Sequence, residues 1–254
     1  MKTLSVIGIG AGDPDHLTMQ AVKALNRLDV VFLMDKGPAK DKLLDLRREV
    51  CRRYIVDRTY RFVEAYSPER QRGGPDYKDS VEALNRAKQA TFERLINEEL
   101  SDGQRGGFLV WGDPALYDST VRILQAILDA GRSAFEFEVI PGITSVQALA
   151  ARHKVPLNSI GGSLEITTGR RLAAGQVGDA ASVVVMLDAE DAYRQVSNPD
   201  THIYWGAYVG TPDEILIAGR LGDVADDIER TRKAARKANG WIMDTYLLRK
   251  PDND

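Results

Sequence analysis

The residues best suited to chemistry in this sequence are three glycine turns and the acids beside them. The first, Gly8-Ile9-Gly10-Ala11-Gly12-Asp13, follows an apolar run and precedes a helical pattern, the setting of a dinucleotide-binding turn. Asp35, at the end of the next apolar run, stands where a ribose-binding acid would. The G-x-G-x-x-G pattern nevertheless fails at its third glycine, which is Asp13. A carboxylate there would compete with a pyrophosphate for the N–H groups at the positive end of the following helix, so the pyrophosphate reading loses. Asp13 is then either a helix-start residue or a group facing a cationic or protonated ligand.

The second turn, Trp111-Gly112-Asp113-Pro114, again closes an apolar run, with glycine allowing close approach to the backbone and Pro114 fixing the bend. The third, Pro141-Gly142-Ile143-Thr144-Ser145, ends a strand and opens a helix whose first N–H groups Thr144 or Ser145 could cap. Each alone is ordinary turn chemistry. Three of them at the carboxyl ends of strands in one sheet mark the edge where open α/β sheets bind ligands.

Other chemistries find little support. Cys51 is the only cysteine, so no intrachain disulfide can form, and His16, His153 and His202 lie far apart with no zinc-like spacing. A protein-built metal site is not expected, and no catalytic triad is recognisable. With Lys+Arg 34 against Asp+Glu 37 the net charge is only -3, which gives no bulk signature of a nucleic-acid protein. The opening apolar run is too short for a membrane helix and lacks the long apolar core of a secretory signal. No later stretch nears eighteen uninterrupted apolar residues, so a soluble cytoplasmic protein is expected.

The elements that must position these turns follow from apolar patterning. Leu4 to Ile9, Val30 to Met34, Gly107 to Trp111 and Phe135 to Ile140 read as strands. Leu17 to Leu28, Lys42 to Tyr54, Ser80 to Leu100 and Ser119 to Ala130 read as helices. This alternation predicts an α/β domain with a mostly parallel sheet covered on both faces. The polar segment Ser67 to Lys78 interrupts it as a long loop, either a lid carrying Arg70 and Arg72 or a solvated surface loop. After Pro141-Gly142 a helix from Thr144 to His153 is followed by short apolar stretches at Leu164 to Thr168, Ser182 to Leu187, His202 to Val209, Ile215 to Leu221 and Gly240 to Leu248. Their β-branched and aromatic content predicts a second α/β domain with a mixed sheet, the domains being 1–141 and 142–254.

The ordered set GIGAGDPDHLT, GDPALYD and PGITS resembles the tetrapyrrole methylases, and VVVMLDA and GTPDEILIAG extend the resemblance over essentially the whole chain. The resemblance implies two α/β domains with an active site in the cleft between them. It also implies S-adenosylmethionine as cofactor, a tetrapyrrole as small-molecule substrate, and a homodimer. Within the family, WGDPALYDST, PGITSVQALAARH and TTGRRL look most like a branch that methylates C-1 of a corrin precursor and releases the extruded carbon as acetate. Carried over position by position, the cofactor contacts fall on Ala11, Trp111, Gly112, Asp113, Leu116, Thr144, Ser145, Leu187 and Gly210. Ala11 stands where relatives often have proline and Leu187 where many have methionine, and both keep the contact apolar.

Methyl transfer from a sulfonium needs alignment and a dry pocket more than acid–base groups. A polycarboxylated macrocycle calls for cations, and Arg170, Arg171, Arg70, Arg72 and Lys36 are the candidates. Acetate release further needs an activated water and a base within reach, for which Asp13, Tyr117 and Asp118 stand beside the turns, with His16 a further possibility. The competing readings are a methylase of the same fold acting on another ring carbon or substrate class, a nicotinamide-dependent oxidoreductase, and a non-enzymatic tetrapyrrole carrier.

Overall fold

The computed structural model describes residues 1–35, 41–68 and 77–251. The chain divides into two units, Met1–Ile143 and Thr144–Asp254.

In the first unit the apolar runs form five strands: β1 (Lys2–Gly8), β2 (Val30–Asp35), β3 (Arg61–Tyr66), β4 (Arg105–Val110) and β5 (Phe135–Ile140). All pair in parallel, in the order β3-β2-β4-β1-β5. Four helices connect them: α1 (Met19–Leu25), α2 (Asp41–Tyr54), α3 (Tyr77–Glu99) and α4 (Thr120–Asp129). Side chains alternate across each strand, so Leu4, Val6 and Phe32 join Phe92, Ile96 and Leu124 of α3 and α4 in one core. Ile7, Val31 and Leu33 join Leu25 and Val50 of α1 and α2 in the other. Covering both faces is what makes the strands read as continuous apolar runs.

Strand β2 does not keep both of its neighbours to the end. It stays paired with β3 as far as Asp35↔Tyr66, but with β4 only through Val30↔Gly106, Val31↔Gly107 and Phe32↔Phe108. Meanwhile β4 stays with β1 to Gly8↔Val110. From β2 the chain moves outward to β3, and from β4 it moves the other way to β5. Neighbouring strands whose connections leave in opposite directions define a topological switch point, where a crevice opens at the carboxyl edge.

The second unit has a mixed sheet of β6 (Leu164–Thr168), β7 (Ser182–Met186), β8 (His202–Ala207), β9 (Ile215–Arg220) and β10 (Asp244–Arg249), ordered β6-β7-β10-β8-β9. Only β6 and β7 run parallel. Its helices are α5 (Ser145–His153), α6 (Gly169–Ala173) and α7 (Leu221–Asn239), and Val185, Trp205, Ile228 and Tyr246 lie at the centre of the core.

Besides the short helix α6, two elements are not read from the apolar patterning of the sequence. Strand β3 lies at the sheet edge, where only Ala65 of its six residues is buried, so each face mixes polar and apolar residues and no continuous apolar run appears. Helix α7 buries Leu221, Ile228, Arg232 and Ala235, and a cation in the middle of the stripe breaks the apolar periodicity that would announce it.

Candidate functional site

The three glycine turns of the first unit lie against one another, backbone to backbone. A Cβ on Gly142 would stand 2.1 Å from the Gly112 carbonyl oxygen, and one on Gly8 would stand 2.6 Å from the Gly142 nitrogen. Neither position can carry a side chain. Gly10 and Gly112 form an antiparallel bridge in which Gly112 N donates to the Gly10 carbonyl at 2.7 Å. Both have positive φ, +84° and +69°, which glycine adopts without steric cost. Asp113 fastens the second turn to the third: its Oδ2 accepts from Gly142 N at 2.8 Å and its Oδ1 from Ala115 N at 2.7 Å. Ala11 is buried beside these turns, whereas Trp111 and Leu116 are half-buried.

Of the acids expected to act as bases, Asp13 starts a short 3-10 turn, Pro14–His16, its Oδ1 accepting from Asp15 N at 2.9 Å. The helix-start reading of Asp13 therefore holds, with its carboxylate half-exposed. His16 closes that turn, and its Nδ1 is buried without a hydrogen-bond partner among the described residues. Tyr117 is exposed and has φ +53°, a region rarely taken by a bulky residue. Asp118 Oδ1 accepts from Thr120 N at 2.7 Å and so caps the start of α4.

In the second unit Thr144 caps α5, its Oγ1 accepting from Val146 N at 3.2 Å while its own N–H donates to Gln147 Oε1 at 3.0 Å. Ser145 is half-buried in the first turn of that helix. Leu187 follows β7 with φ +54° and is 64% exposed. Gly210, φ +83°, lies two residues beyond Tyr208, itself at φ +50°. A strained apolar residue held out in solvent needs support, and Leu187 has it from the next residue. Asp188 accepts at Oδ2 from Ala192 N at 2.8 Å and from the Tyr246 hydroxyl at 2.7 Å, and its carbonyl accepts from Arg232 Nη2. Arg232 also binds Asp244 at 2.8 Å and Asp191 at 3.2 Å. Burial works to lower its pKa, but the bonds to Asp244 and the charges of Asp191 and Asp188 outweigh it and hold the guanidinium charged.

Arg170 and Arg171 lie exposed on the short helix α6, where Arg171 donates to the Gln176 carbonyl at 3.2 Å. Lys36, Arg70 and Arg72 fall outside the described residues, as does most of the loop that would carry the two arginines. No cluster of metal-binding side chains occurs among the described residues, and no helix among them is long and apolar enough to cross a membrane.

The sequence motifs leave out Arg47 and, although they include Trp111, give its indole nitrogen no role. Arg47 of α2 is anchored through Nε to the Leu109 carbonyl at 3.0 Å and through Nη1 to the Leu43 carbonyl at 2.8 Å. The Trp111 indole nitrogen is buried with no partner among the described residues. The signal for Arg47 was its place one turn from Leu44 and from Cys51, both buried, which puts a cation on an apolar stripe.

Comparison with known proteins agrees with this architecture. Residues 3–225 match the family described as Tetrapyrrole (Corrin/Porphyrin) Methylases. The chain is 49% identical over 250 residues to Precorrin-6A synthase [deacetylating] of Sinorhizobium sp, covering 98% of this chain and 96% of that protein. Its structure is similar to that of a cobalamin synthesis related protein (CobF) from Corynebacterium diphtheriae, with TM-score 0.85, 34% identity, and coverage of 99% and 100%. It also resembles uroporphyrin-III C-methyl transferase from Thermus thermophilus complexed with S-adenyl homocysteine, at TM-score 0.57 and 18% identity over 98% and 97% of the chains, a likeness of fold alone.

Proposed function

Because the chain belongs to the tetrapyrrole (corrin/porphyrin) methylases, we propose that it methylates precorrin-5 at C-1 with loss of acetate, giving precorrin-6A. The observation that carries this reading is the likeness, over nearly the full length of both chains, to the deacetylating synthase.

S-adenosylmethionine, when bound, supplies an electrophilic methyl group. The residues present fit such a ligand: turns in which Gly8 and Gly142 exclude side chains offer main-chain N–H and C=O groups, and Leu187 offers an apolar surface. In this proposal Ala11, Trp111, Gly112, Asp113, Leu116, Thr144, Ser145, Leu187 and Gly210 hold it. Backbone strain at Leu187 and Tyr208 costs of the order of 1–3 kcal/mol each and persists where surrounding structure over-determines it, a pattern concentrated at ligand clamps. The Asp113 carboxylate acts as a strut, since both of its oxygens accept backbone N–H groups.

For acetate release the proposal assigns a base among Asp13, Tyr117 and Asp118. Asp13 and Asp118 each have one oxygen fixed, by Asp15 N and Thr120 N, which leaves the other to take a proton from water. Arg170 and Arg171, with Lys36, Arg70 and Arg72, remain the proposed partners of substrate carboxylates. A homodimer and a cytoplasmic setting belong to the same proposal, the first read by light scattering on the purified chain.

Incubation with precorrin-5 and S-adenosylmethionine should yield S-adenosylhomocysteine and acetate in equal amounts. Methyl transfer without acetate would remove the deacetylating half and leave a methylase acting at another position. Binding of a nicotinamide dinucleotide with no calorimetric response to S-adenosylhomocysteine would overturn the reading altogether.

A further inference from the structure

The crevice where β2 and β4 part beyond Phe32 and Phe108 is a real cavity. Its volume is about 100 Å³, and its lining includes Arg47, Lys88, Trp111, Asp118 and Thr120. A cavity needs roughly 10–15 Å³ per water on this measure, so the space suits several waters or one short acid arm, and is too small for a nucleoside or a macrocycle. Its position follows from topology, since it lies at the switch point of the parallel sheet.

Three features of the lining ask for an anion. Arg47 reaches in from α2, and its Nε satisfies the Leu109 carbonyl, one residue past the last β2–β4 pair. With Nε and Nη1 committed, its Nη2 has no hydrogen-bond partner among the described residues. Burial lowers its pKa to about 10, opposed by Asp118, so it stays cationic at neutral pH. Next, Trp111 Nε1 is buried without an acceptor among the described residues, and an indole nitrogen can only donate. Finally, among the described residues of the lining, Arg47 and Lys88 against Asp118 leave one positive charge in excess.

We propose that this cavity binds a carboxylate on a two- or three-carbon arm, its oxygens accepting from Trp111 Nε1 and Arg47 Nη2, with Lys88 completing the charge balance. Taking the arm to be an acetate or propionate side chain of the macrocycle, or the released acetate, rests on the proposed function. The carboxylate site itself does not.

The indole N–H signals of Trp111, Trp205 and Trp241 in ¹⁵N-labelled protein provide the test, with Trp111→Phe assigning the first. Propionate, added at constant ionic strength against chloride, should move the Trp111 signal saturably. Propionamide should not, and Trp205, whose Nε1 already donates to Asp244 at 3.0 Å, should stay in place. Lys88→Met should weaken propionate binding at least tenfold. No saturable movement, an equal response to propionamide or chloride, or an unchanged affinity in Lys88→Met would each overturn the site. Tighter binding of propionate than of acetate identifies a three-carbon arm, and the reverse identifies a two-carbon acid, whether borne by the macrocycle or released from it. Calorimetry with S-adenosylhomocysteine separates the two readings. Cofactor binding without a propionate response refutes the cavity alone, whereas a propionate response without cofactor binding refutes the methyltransferase and leaves the cavity standing.

Discussion

Gly142 has less room than Gly8 or Gly10 of the first turn. The 2.1 Å between its notional Cβ and the Gly112 carbonyl is far below the separation of two relaxed heavy atoms, so one methyl group must push two strand ends apart. Gly142→Ala should cost about 1–3 kcal/mol, the usual penalty of forced overpacking. It should also weaken S-adenosylhomocysteine binding, because Asp113 loses its grip on Gly142 N. Urea midpoints and calorimetry read the two effects; a variant with wild-type stability and affinity would remove the third turn from the site. At this scale the sequence was informative about residue types and blind to partners. Glycines that close apolar runs could be seen, and so could a carboxylate following Gly112. That the Asp113 carboxylate reaches an N–H 29 residues away is a tertiary fact with no local trace.

At the scale of elements, the strands buried on both faces were legible because burial itself writes the apolar run, as in Val30–Asp35 with four residues buried in succession. The elements that escaped are those whose burial is polar or partial. Edge strand β3 needs few apolar side chains, and α7 places Arg232 where the stripe Leu221, Ile228, Ala235 calls for an apolar one. The same device places Arg47 on α2. A cation at a core position of a helix needs bonded partners, which for Arg47 are two backbone carbonyls and for Arg232 the acids Asp244 and Asp191 within 3.2 Å. Arg232→Met should therefore destabilise the protein by about 3–5 kcal/mol, since it leaves buried carboxylates without a counter-charge. Cofactor affinity should fall with it, because the guanidinium also holds the Asp188 carbonyl beside strained Leu187. Urea unfolding tests the first effect, and a loss below about 1 kcal/mol would show that the acids are supported by other groups.

For the molecule as a whole, composition and alternation were enough to indicate two α/β units, one with a parallel sheet and one mixed. They could not indicate the crevice between β2 and β4, because how far two strands stay paired is set by register and connection, to which apolar patterning is indifferent. Response to acid is a property at this scale, with net charge -3 and a pI near 5.7 placing the chain close to neutrality in mild acid. His153 adds a specific contribution. Its Nε2 lies 3.0 Å from the Trp205 carbonyl, which can only accept, so Nε2 carries the proton and Nδ1 is the site that would titrate. Burial, only partly opposed by that hydrogen bond, holds its pKa below the ordinary 6.5. In the unfolded chain the imidazole takes up its proton near pH ~6.5. As pH falls through that value the unfolded state gains a proton that the folded state still refuses, so stability declines on the acid side and is unaffected by this group well above it. Urea midpoints between about pH 7.5 and 5.5 should show the decline. His153→Gln, which keeps a side-chain N–H donor but cannot titrate, should flatten it, and an unaltered slope would assign the acid sensitivity to other groups.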